Sequence, residues 1–154
     1  MKFITVMLFL LSLANLRAEI QGKELQFGDL KFKLPESEKF TKPLKKESKT
    51  KISGELIDAA GKKSLITVKR FAGGSSPSYL IKFTSQKKWR SAAQEVIMES
   101  VFLDSHKRGF VLLTIVDKAG DTYQITLSTF DEKKMKAWEN EAKKVFPPTV
   151  QQRR

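Results

Sequence analysis

The residue types of a hydrolytic triad stand side by side at Asp104, Ser105 and His106, and His106 is the only histidine in the chain. Catalytic triads are assembled from distant positions, because the side chains of neighbouring residues point apart. With one histidine and no cysteine, the chain also lacks the ligands that zinc prefers. We therefore interpret His106 as a turn residue and predict neither a catalytic histidine nor a metal site.

Two glycine-containing segments have the composition of phosphate-binding loops. Residues 61–64, Gly-Lys-Lys-Ser, resemble the end of such a loop, but Leu56 stands where the motif needs its first glycine and Lys63 where it needs serine or threonine. Residues 73–76, Gly-Gly-Ser-Ser, could hold an anion with backbone N–H groups in front of a helix. We interpret the first as a hairpin turn and the second as a connector with a helix cap.

Carboxylate pairs are the remaining candidates for catalysis. Hydrolysis of a glycoside needs two acids about 5 to 9.5 Å apart across a cleft. Glu95 and Glu99 are such a candidate pair, but any chain of this length contains similar ones by chance. We therefore predict that the protein is not an enzyme and needs no cofactor, and keep a hydrolase with an unrecognised site as an alternative.

Positive charge is the strongest chemical signal, since 29 lysines and arginines face 17 acidic residues, for a net charge of +12. The densest basic run covers residues 41–51, and a second group surrounds Trp89. Cations bind phosphate-rich partners by releasing counterions, and an aromatic side chain among them adds stacking. The alternative is that the charge only keeps the protein soluble, with Trp89 in the core. The candidate anion-binding residues are Lys42, Lys45, Lys46, Lys49, Lys51, Lys87, Lys88 and Arg90.

Residues 1–18 have the pattern of a secretory signal peptide, with Lys2 before an apolar run and small residues at Ala14 and Ala18 as alternative cleavage sites. An uncleaved anchor is the alternative, but the apolar run is shorter than the roughly 20 residues that a membrane span needs. We predict a secreted or periplasmic protein with no membrane span in its mature chain. Its partner would then be an anionic polymer or lipid surface, or an acidic protein, rather than cytoplasmic nucleic acid.

The elements that must position these residues fit one α+β domain over 19–148, followed by a basic tail over 149–154. Alternating apolar residues predict strands over 24–34 and two hairpins, over 52–71 and 110–127. Asp131 is a typical N-cap for a helix that Pro147 ends. A second helix is predicted from Ser76 to about Ala93, followed by a strand, with one helix through 86–101 as the alternative. The expected fold is an antiparallel sheet of about five to seven strands, packed against these two helices.

The order of these elements resembles the PsbP-like family. The resemblance depends on residues 28–35, Gly-Asp-Leu-Lys-Phe-Lys-Leu-Pro, and on residues 123–130, Tyr-Gln-Ile-Thr-Leu-Ser-Thr-Phe, which lead into the last helix. It covers residues 24–146 through element order and apolar rhythm, without a diagnostic motif. It implies an antiparallel sheet packed against helices and a non-catalytic binding or assembly role, and it assigns no site residue.

The composition and the resemblance together predict an exported, non-catalytic binding module for an anionic component of the cell envelope. The first alternative is an accessory or assembly subunit of a membrane-associated protein complex. The second is the hydrolase already named.

Overall fold

A computed structural model describes residues 19–21, 23–35, 38–74, 81–118 and 120–150. These residues form two antiparallel sheets and one α-helix, so the α+β class is confirmed. The predicted signal peptide and the last four residues lie outside the described part of the chain. The strands are β1 (Glu19–Gln21), β2 (Glu24–Phe27), β3 (Leu30–Lys33), β4 (Glu38–Phe40), β5 (Lys45–Ser48), β6 (Lys51–Asp58), β7 (Lys63–Phe71), β8 (Ser85–Ser91), β9 (Gln94–Leu103), β10 (Arg108–Val116) and β11 (Thr122–Thr129).

The larger sheet exceeds the predicted five to seven strands. It has eight strands, in the order β4-β6-β7-β11-β10-β9-β8, with β5 also paired to β6. The smaller sheet has the order β1-β2-β3. The extra strands come from short segments such as β4 and β5, which are too brief to show a clear alternation in the sequence.

The predicted strands over 24–34 and the predicted hairpins over 52–71 and 110–127 are confirmed. β2 and β3 are joined at Gly28 and Asp29, and β6 and β7 form the hairpin around residues 59–62. β10 pairs with β11 over the whole predicted hairpin. In β2, β3 and β7 buried side chains alternate with less buried ones because one face of the strand is buried, whereas in β10 the neighbours Leu112 and Leu113 are both buried, one on each face.

The core lies on one face of the larger sheet, called here the inner face. The smaller sheet and the helix both cover this face, and the ring centroids of Phe32 from β3 and Phe146 after the helix lie 6.1 Å apart. The inner face contributes the buried side chains of Ile52, Leu56, Ile66, Val68, Val96, Met98, Val111, Leu113, Ile115, Tyr123, Ile125 and Leu127. The opposite face is called the outer face, and Val101 and Leu112 are buried on it.

The C-terminal helix, α1 (Glu132–Val145), is confirmed together with its predicted cap. The Asp131 carboxylate accepts a hydrogen bond from the backbone N–H of Lys134, and the buried stripe includes Met135, Trp138 and Ala142. The backbone N–H of Phe146 donates to the carbonyl of Ala142 at 2.9 Å, one residue before Pro147. With 14 residues and several charged side chains, α1 is too short and too polar to span a bilayer, and the described residues contain no other candidate helix.

The second predicted helix is wrong over its described part, and so is the alternative helix through 86–101. Residues 85–91 and 94–103 are strands β8 and β9, joined by a turn at Ala92 and Ala93. Ala92 has a φ of 51°, which no α-helix allows. Trp89, Val96 and Met98 share the inner face of two paired strands, so a chance helical spacing concealed a period of two. A short 3-10 helix covers Ala72–Gly74, and the predicted start at 75–80 lies outside the described residues.

Ion pairs between three charged side chains connect α1 to the larger sheet. Glu38 on β4 and Asp58 on β6 are directly paired across two strands, an unfavourable arrangement for two carboxylates. The Nζ atom of Lys134 lies 3.1 Å from Glu38 Oε1 and 3.4 Å from Asp58 Oδ2. The side chains of Lys134 and Glu38 are only 5% and 2% exposed, whereas that of Asp58 is 17% exposed, so Lys134 compensates one fully buried and one partly buried acid. We call Glu38, Asp58 and Lys134 the buried charge cluster.

Gly28 allows the tight turn between β2 and β3. Its φ is +59°, and a Cβ atom added there would lie 2.8 Å from the Tyr123 hydroxyl oxygen, which accepts a hydrogen bond from the N–H of Asp29 at 3.1 Å. Gly28→Ala is expected to lower the free energy of unfolding by about 2–3 kcal/mol, because it adds this clash to the ordinary cost of a positive φ. Urea denaturation measures the change. Gly61→Ala is the control, since its φ is +78° with open space around it, and an equal loss in both variants would contradict the clash.

The ion pair at the start of α1 makes stability depend on pH. The Lys62 ammonium, followed by the backbone N–H of Lys134, lowers the pKa of Asp131 below its ordinary value. Because this pKa is lower in the folded state, the stabilisation is present above about pH 4 and is lost as the pH falls. We expect Asp131→Asn to reduce the slope of unfolding free energy against pH on the acid side of about pH 4. Unchanged slopes in denaturation series would contradict this origin.

Candidate anion-binding face

The structure places the two groups of predicted anion-binding residues at opposite edges of the larger sheet. The residues of the 41–51 run lie on β5, β6 and the segments before and between them. Lys87, Lys88 and Arg90 lie on β8, and β7, β11, β10 and β9 separate β6 from β8. The predicted set is therefore two separate groups rather than one surface.

The β8 group is itself divided between the two faces of the sheet. Lys87 is paired with Met98 on the inner side, whereas Lys88 and Arg90 lie on the outer side. Lys88 forms an ion pair of 2.9 Å with Glu95. The indole N–H of Trp89 donates to the carbonyl of Phe146 at 2.8 Å, and its side chain is half-buried. Trp89 is thus held against the core and is not presented for stacking on a ligand.

At the opposite edge, formed by β4, β5 and β6, the strand register places several lysines on the outer face. Ile52 and Leu56 of β6 are buried on the inner face, so residues 51, 53, 55 and 57 lie on the outer face. Residues directly opposite one another on paired strands share a face, which assigns the lysines of the neighbouring strands. The lysines of this surface, called here the basic face, are Lys39, Lys45, Lys51, Lys63 and Lys69.

Two glutamates lie among these five lysines. Glu47 pairs with Lys51, and Glu55 pairs with Lys63 at 3.2 Å. The hydrogen bond from Lys51 lowers the pKa of Glu47, and the hydrogen bond from Thr41 lowers that of Glu55. Both carboxylates are therefore ionised at neutral pH, and the basic face has a net charge of +3. Lys39, Lys45 and Lys69 form no ion pair with a carboxylate of the described residues.

An apolar patch borders the basic face on the same side of the sheet. Leu65 of β7 is 47% exposed, and Phe130 after β11 is 70% exposed. Arg108 lies between two rings, with its guanidinium carbon 5.4 Å from the ring centroid of Phe110 and 5.3 Å from that of Phe130. The Arg108 Nε–H also donates to the hydroxyl of Ser128 at 2.7 Å. We call Leu65, Arg108, Phe110 and Phe130 the apolar patch.

Only part of the predicted set belongs to the basic face. Lys45 and Lys51 lie on it, but Lys46 is paired with buried Ile52 and therefore lies on the inner side. Lys42 lies in the segment before β5, and Lys49 lies in the turn before β6. Lys39, Lys63 and Lys69 also lie on the basic face but were not among the predicted residues. The local signal for these lysines was that each alternates with a buried neighbour along its strand. Only the pairing of β4, β6 and β7 shows that they lie on the same face of the sheet.

His106 and the Gly61-Lys62 segment, two further candidates from the sequence, both lie in turns and form no metal site with other described residues. No three of the described histidine, aspartate and glutamate residues are grouped so that they could hold a metal ion. His106 lies in the turn between β9 and β10, where its Nδ1 atom is 2.9 Å from the hydroxyl of Ser105. The Gly61-Lys62 segment is the turn between β6 and β7.

No family model, no curated protein and no solved structure matched the chain. The resemblance to the PsbP-like family therefore remains a prediction from the residues alone.

Proposed function

We propose that this protein is an exported, non-catalytic module that binds a surface of anionic lipid through the outer face of its larger sheet. Export rests on the prediction for residues 1–18. The observation that supports lipid binding is the joint presence, on one face, of five lysines against two glutamates and of exposed Leu65 and Phe130. No other part of the described chain combines these two features.

Charge supports an anionic partner of some kind. Each lysine close to an anionic bilayer contributes about 1 kcal/mol to binding, and the attraction falls off within a Debye length. Lys39, Lys45 and Lys69 are exposed and form no ion pair with a described carboxylate. They can therefore approach lipid phosphates without first breaking an ion pair within the described residues.

The apolar patch favours lipid over a soluble polyanion. A phosphate polymer offers charge, but it offers no apolar layer in which a phenyl ring could be buried. A bilayer surface offers both, and peripheral proteins bind it through basic residues together with a few inserted apolar side chains. The exposed ring of Phe130, held by Arg108, is the side chain best placed to insert.

Vesicle co-sedimentation tests this proposal. We expect binding to vesicles of phosphatidylcholine mixed with phosphatidylglycerol, and little binding to phosphatidylcholine alone. Raising the ionic strength from about 0.05 M to about 0.5 M should weaken the binding strongly, because it shortens the Debye length. Equal binding to both vesicle types, or none to either, would overturn the proposal.

Phe130→Ser separates a lipid from a polymer. It should weaken binding to the anionic vesicles while leaving binding to soluble polyphosphate unchanged, because only the bilayer can bury the ring. Equal weakening with both ligands would overturn the lipid assignment. Stoichiometric co-purification with an envelope protein that survives high salt, without vesicle binding, would instead favour the accessory-subunit hypothesis.

A further inference from the structure

Strand β8 forms one edge of the larger sheet, and it is the longest edge strand among the described residues. It pairs with β9 from Ser85 to Ser91 without a register shift. The opposite edge of the sheet is divided between β4 and β5, which have three and four residues, and a register shift interrupts the pairing of β5. Such interruptions hinder the addition of a further strand, whereas a long and regular edge allows it.

The strand geometry shows which main-chain groups of β8 are free. The carbonyl of Arg90 accepts a hydrogen bond from the backbone N–H of Thr149 at 2.8 Å, so it points away from β9. Main-chain groups alternate in direction along a strand, so those of Gln86 and Lys88 point the same way. Within the described part of the chain, these groups have no hydrogen-bond partner on that side. Two N–H and two carbonyl groups are therefore available in one row.

The segment after α1 shows that this edge accepts an extended chain. The carbonyl of Phe146 accepts a hydrogen bond from the indole of Trp89, and Thr149 then bonds to Arg90. Both contacts lie near the C-terminal end of β8. The next residue, Val150, is 85% exposed, and the described residues form no further main-chain bond to the outside of β8. They therefore cover one end of the edge and leave residues 86–88 open.

Cations lie on both sides of the open part of the edge. Lys87 on the inner side and Arg90 on the outer side are exposed, and neither forms an ion pair with a described carboxylate. A third exposed cation, Lys143, comes from α1 and lies against the tryptophan of β8. Two glutamates of β9, Glu95 and Glu99, lie on the outer side, but both already bond to side chains of β8. The edge therefore has an excess of positive charge.

This charge indicates which kind of strand the edge can accept. Pairing β8 with the β8 strand of a second copy would bring Lys87, Lys88 and Arg90 close to the same residues of that copy. Like charges on paired strands are destabilising, so the lysines protect the edge from self-association. The end of this chain contains Arg153 and Arg154 and also lacks complementarity. An acidic strand would instead place carboxylates beside the cations.

We propose that the open edge of β8 binds an extended acidic segment of a partner protein as an additional strand. The main-chain groups of Gln86 and Lys88 pair with the backbone of this segment, and its carboxylates lie beside Lys87 and Arg90. In strand addition, main-chain hydrogen bonds provide affinity and side chains provide specificity. The site lies at the opposite edge of the sheet from the basic face, and it is independent of the lipid-binding function proposed above.

Three capped peptides of about eight residues, a usual strand length, test the site by titration of the protein. The first alternates glutamate with threonine, which favours strands. The second alternates glutamate with proline, so it has the same charge but cannot pair as a regular strand. The third alternates lysine with threonine and reverses the charge.

Amide hydrogen exchange, measured by NMR, is the readout that locates the added strand. We expect the glutamate–threonine peptide to slow exchange at the N–H groups of Gln86 and Lys88 in a saturable way, because pairing removes these groups from water. The other two peptides should leave both amides unprotected. Equal protection by the glutamate–proline peptide, or none by the glutamate–threonine peptide, would overturn the proposal.

Lys88→Pro should weaken binding of the glutamate–threonine peptide by about tenfold or more, because it removes one main-chain donor and places the proline ring against the added strand. The pairing of β8 with β9 stays intact, since the N–H of Lys88 points away from β9. Lys88→Gln is the matched control, because it removes the same charge but keeps this N–H, and it should weaken binding much less. Equal weakening by the two variants would overturn strand addition. If Lys88→Pro does not fold, the wild-type exchange measurements decide: protection by the glutamate–threonine peptide alone supports the site, and any other pattern overturns it.

Discussion

Lys134→Met is expected to lower the free energy of unfolding by about 3–5 kcal/mol, the usual cost of removing one partner from a buried ion pair. The substitution preserves most of the side-chain volume but leaves Glu38 and Asp58 facing each other without a cation. It also removes the donor to the carbonyl of Lys62, which helps to hold the turn between β6 and β7 against α1. Urea denaturation monitored by tryptophan fluorescence measures the loss.

Lys133→Met provides a control one residue away. Lys133 has the same charge and lies on the same turn of α1, but it is exposed, so its replacement should change stability by no more than about 0.5 kcal/mol. The double variant Glu38→Met with Lys134→Met should recover much of the loss, because it removes an uncompensated carboxylate along with the lysine. Equal losses in the two single lysine variants would contradict the assigned role of the buried charge cluster.

The triple variant Lys39→Gln, Lys45→Gln and Lys69→Gln is expected to reduce affinity for anionic vesicles by about 100-fold. This follows from about 1 kcal/mol for each lysine close to an anionic surface. The three positions are exposed and share the outer face, so their replacement removes the net charge of the basic face without touching the core. Vesicle co-sedimentation at low ionic strength measures the affinity.

The control is the triple variant Lys87→Gln, Lys88→Gln and Arg90→Gln. It changes the net charge of the protein by the same amount, but at the opposite edge of the sheet and on both of its faces. We expect a much smaller loss of affinity from this control. Equal losses of affinity would mean that binding depends on the total charge of the protein, which would contradict the basic face as the binding surface.

Patterns within one short stretch of chain predicted structure well. The β10–β11 hairpin was correct because two apolar strands are separated by a recognisable turn. The stripe of Met135, Trp138 and Ala142 was correct because α1 buries one face, and burial imposes the helical period on these residues. The stretch from 85 to 101 fitted both the helical and the strand period, and the pairing of β9 with β8 and β10 decided between them. A strand that is stabilised by its neighbours leaves an ambiguous local pattern.

In the candidate sites and the buried charge cluster too, some features are visible in the sequence and others depend on the tertiary structure. The lysine-rich run of residues 41–51 is visible in the sequence, but Lys39, Lys63 and Lys69 join the surface only through the register of β4, β6 and β7. Glu38, Asp58 and Lys134 are far apart in the chain and carry no motif. Their meeting depends on the docking of α1 onto the sheet.

The amino-acid sequence by itself determined the α+β class, two of the hairpins, the capped last helix and the excess of positive charge. These properties depend on composition and on contacts between residues close together in the chain. The tertiary structure alone decided which lysines share a face, that Trp89 is held against the core, and that the free main-chain groups of Gln86 and Lys88 point away from β9. Strand register and helix docking fix these features, and both are set by the packing of the whole core rather than by any single segment.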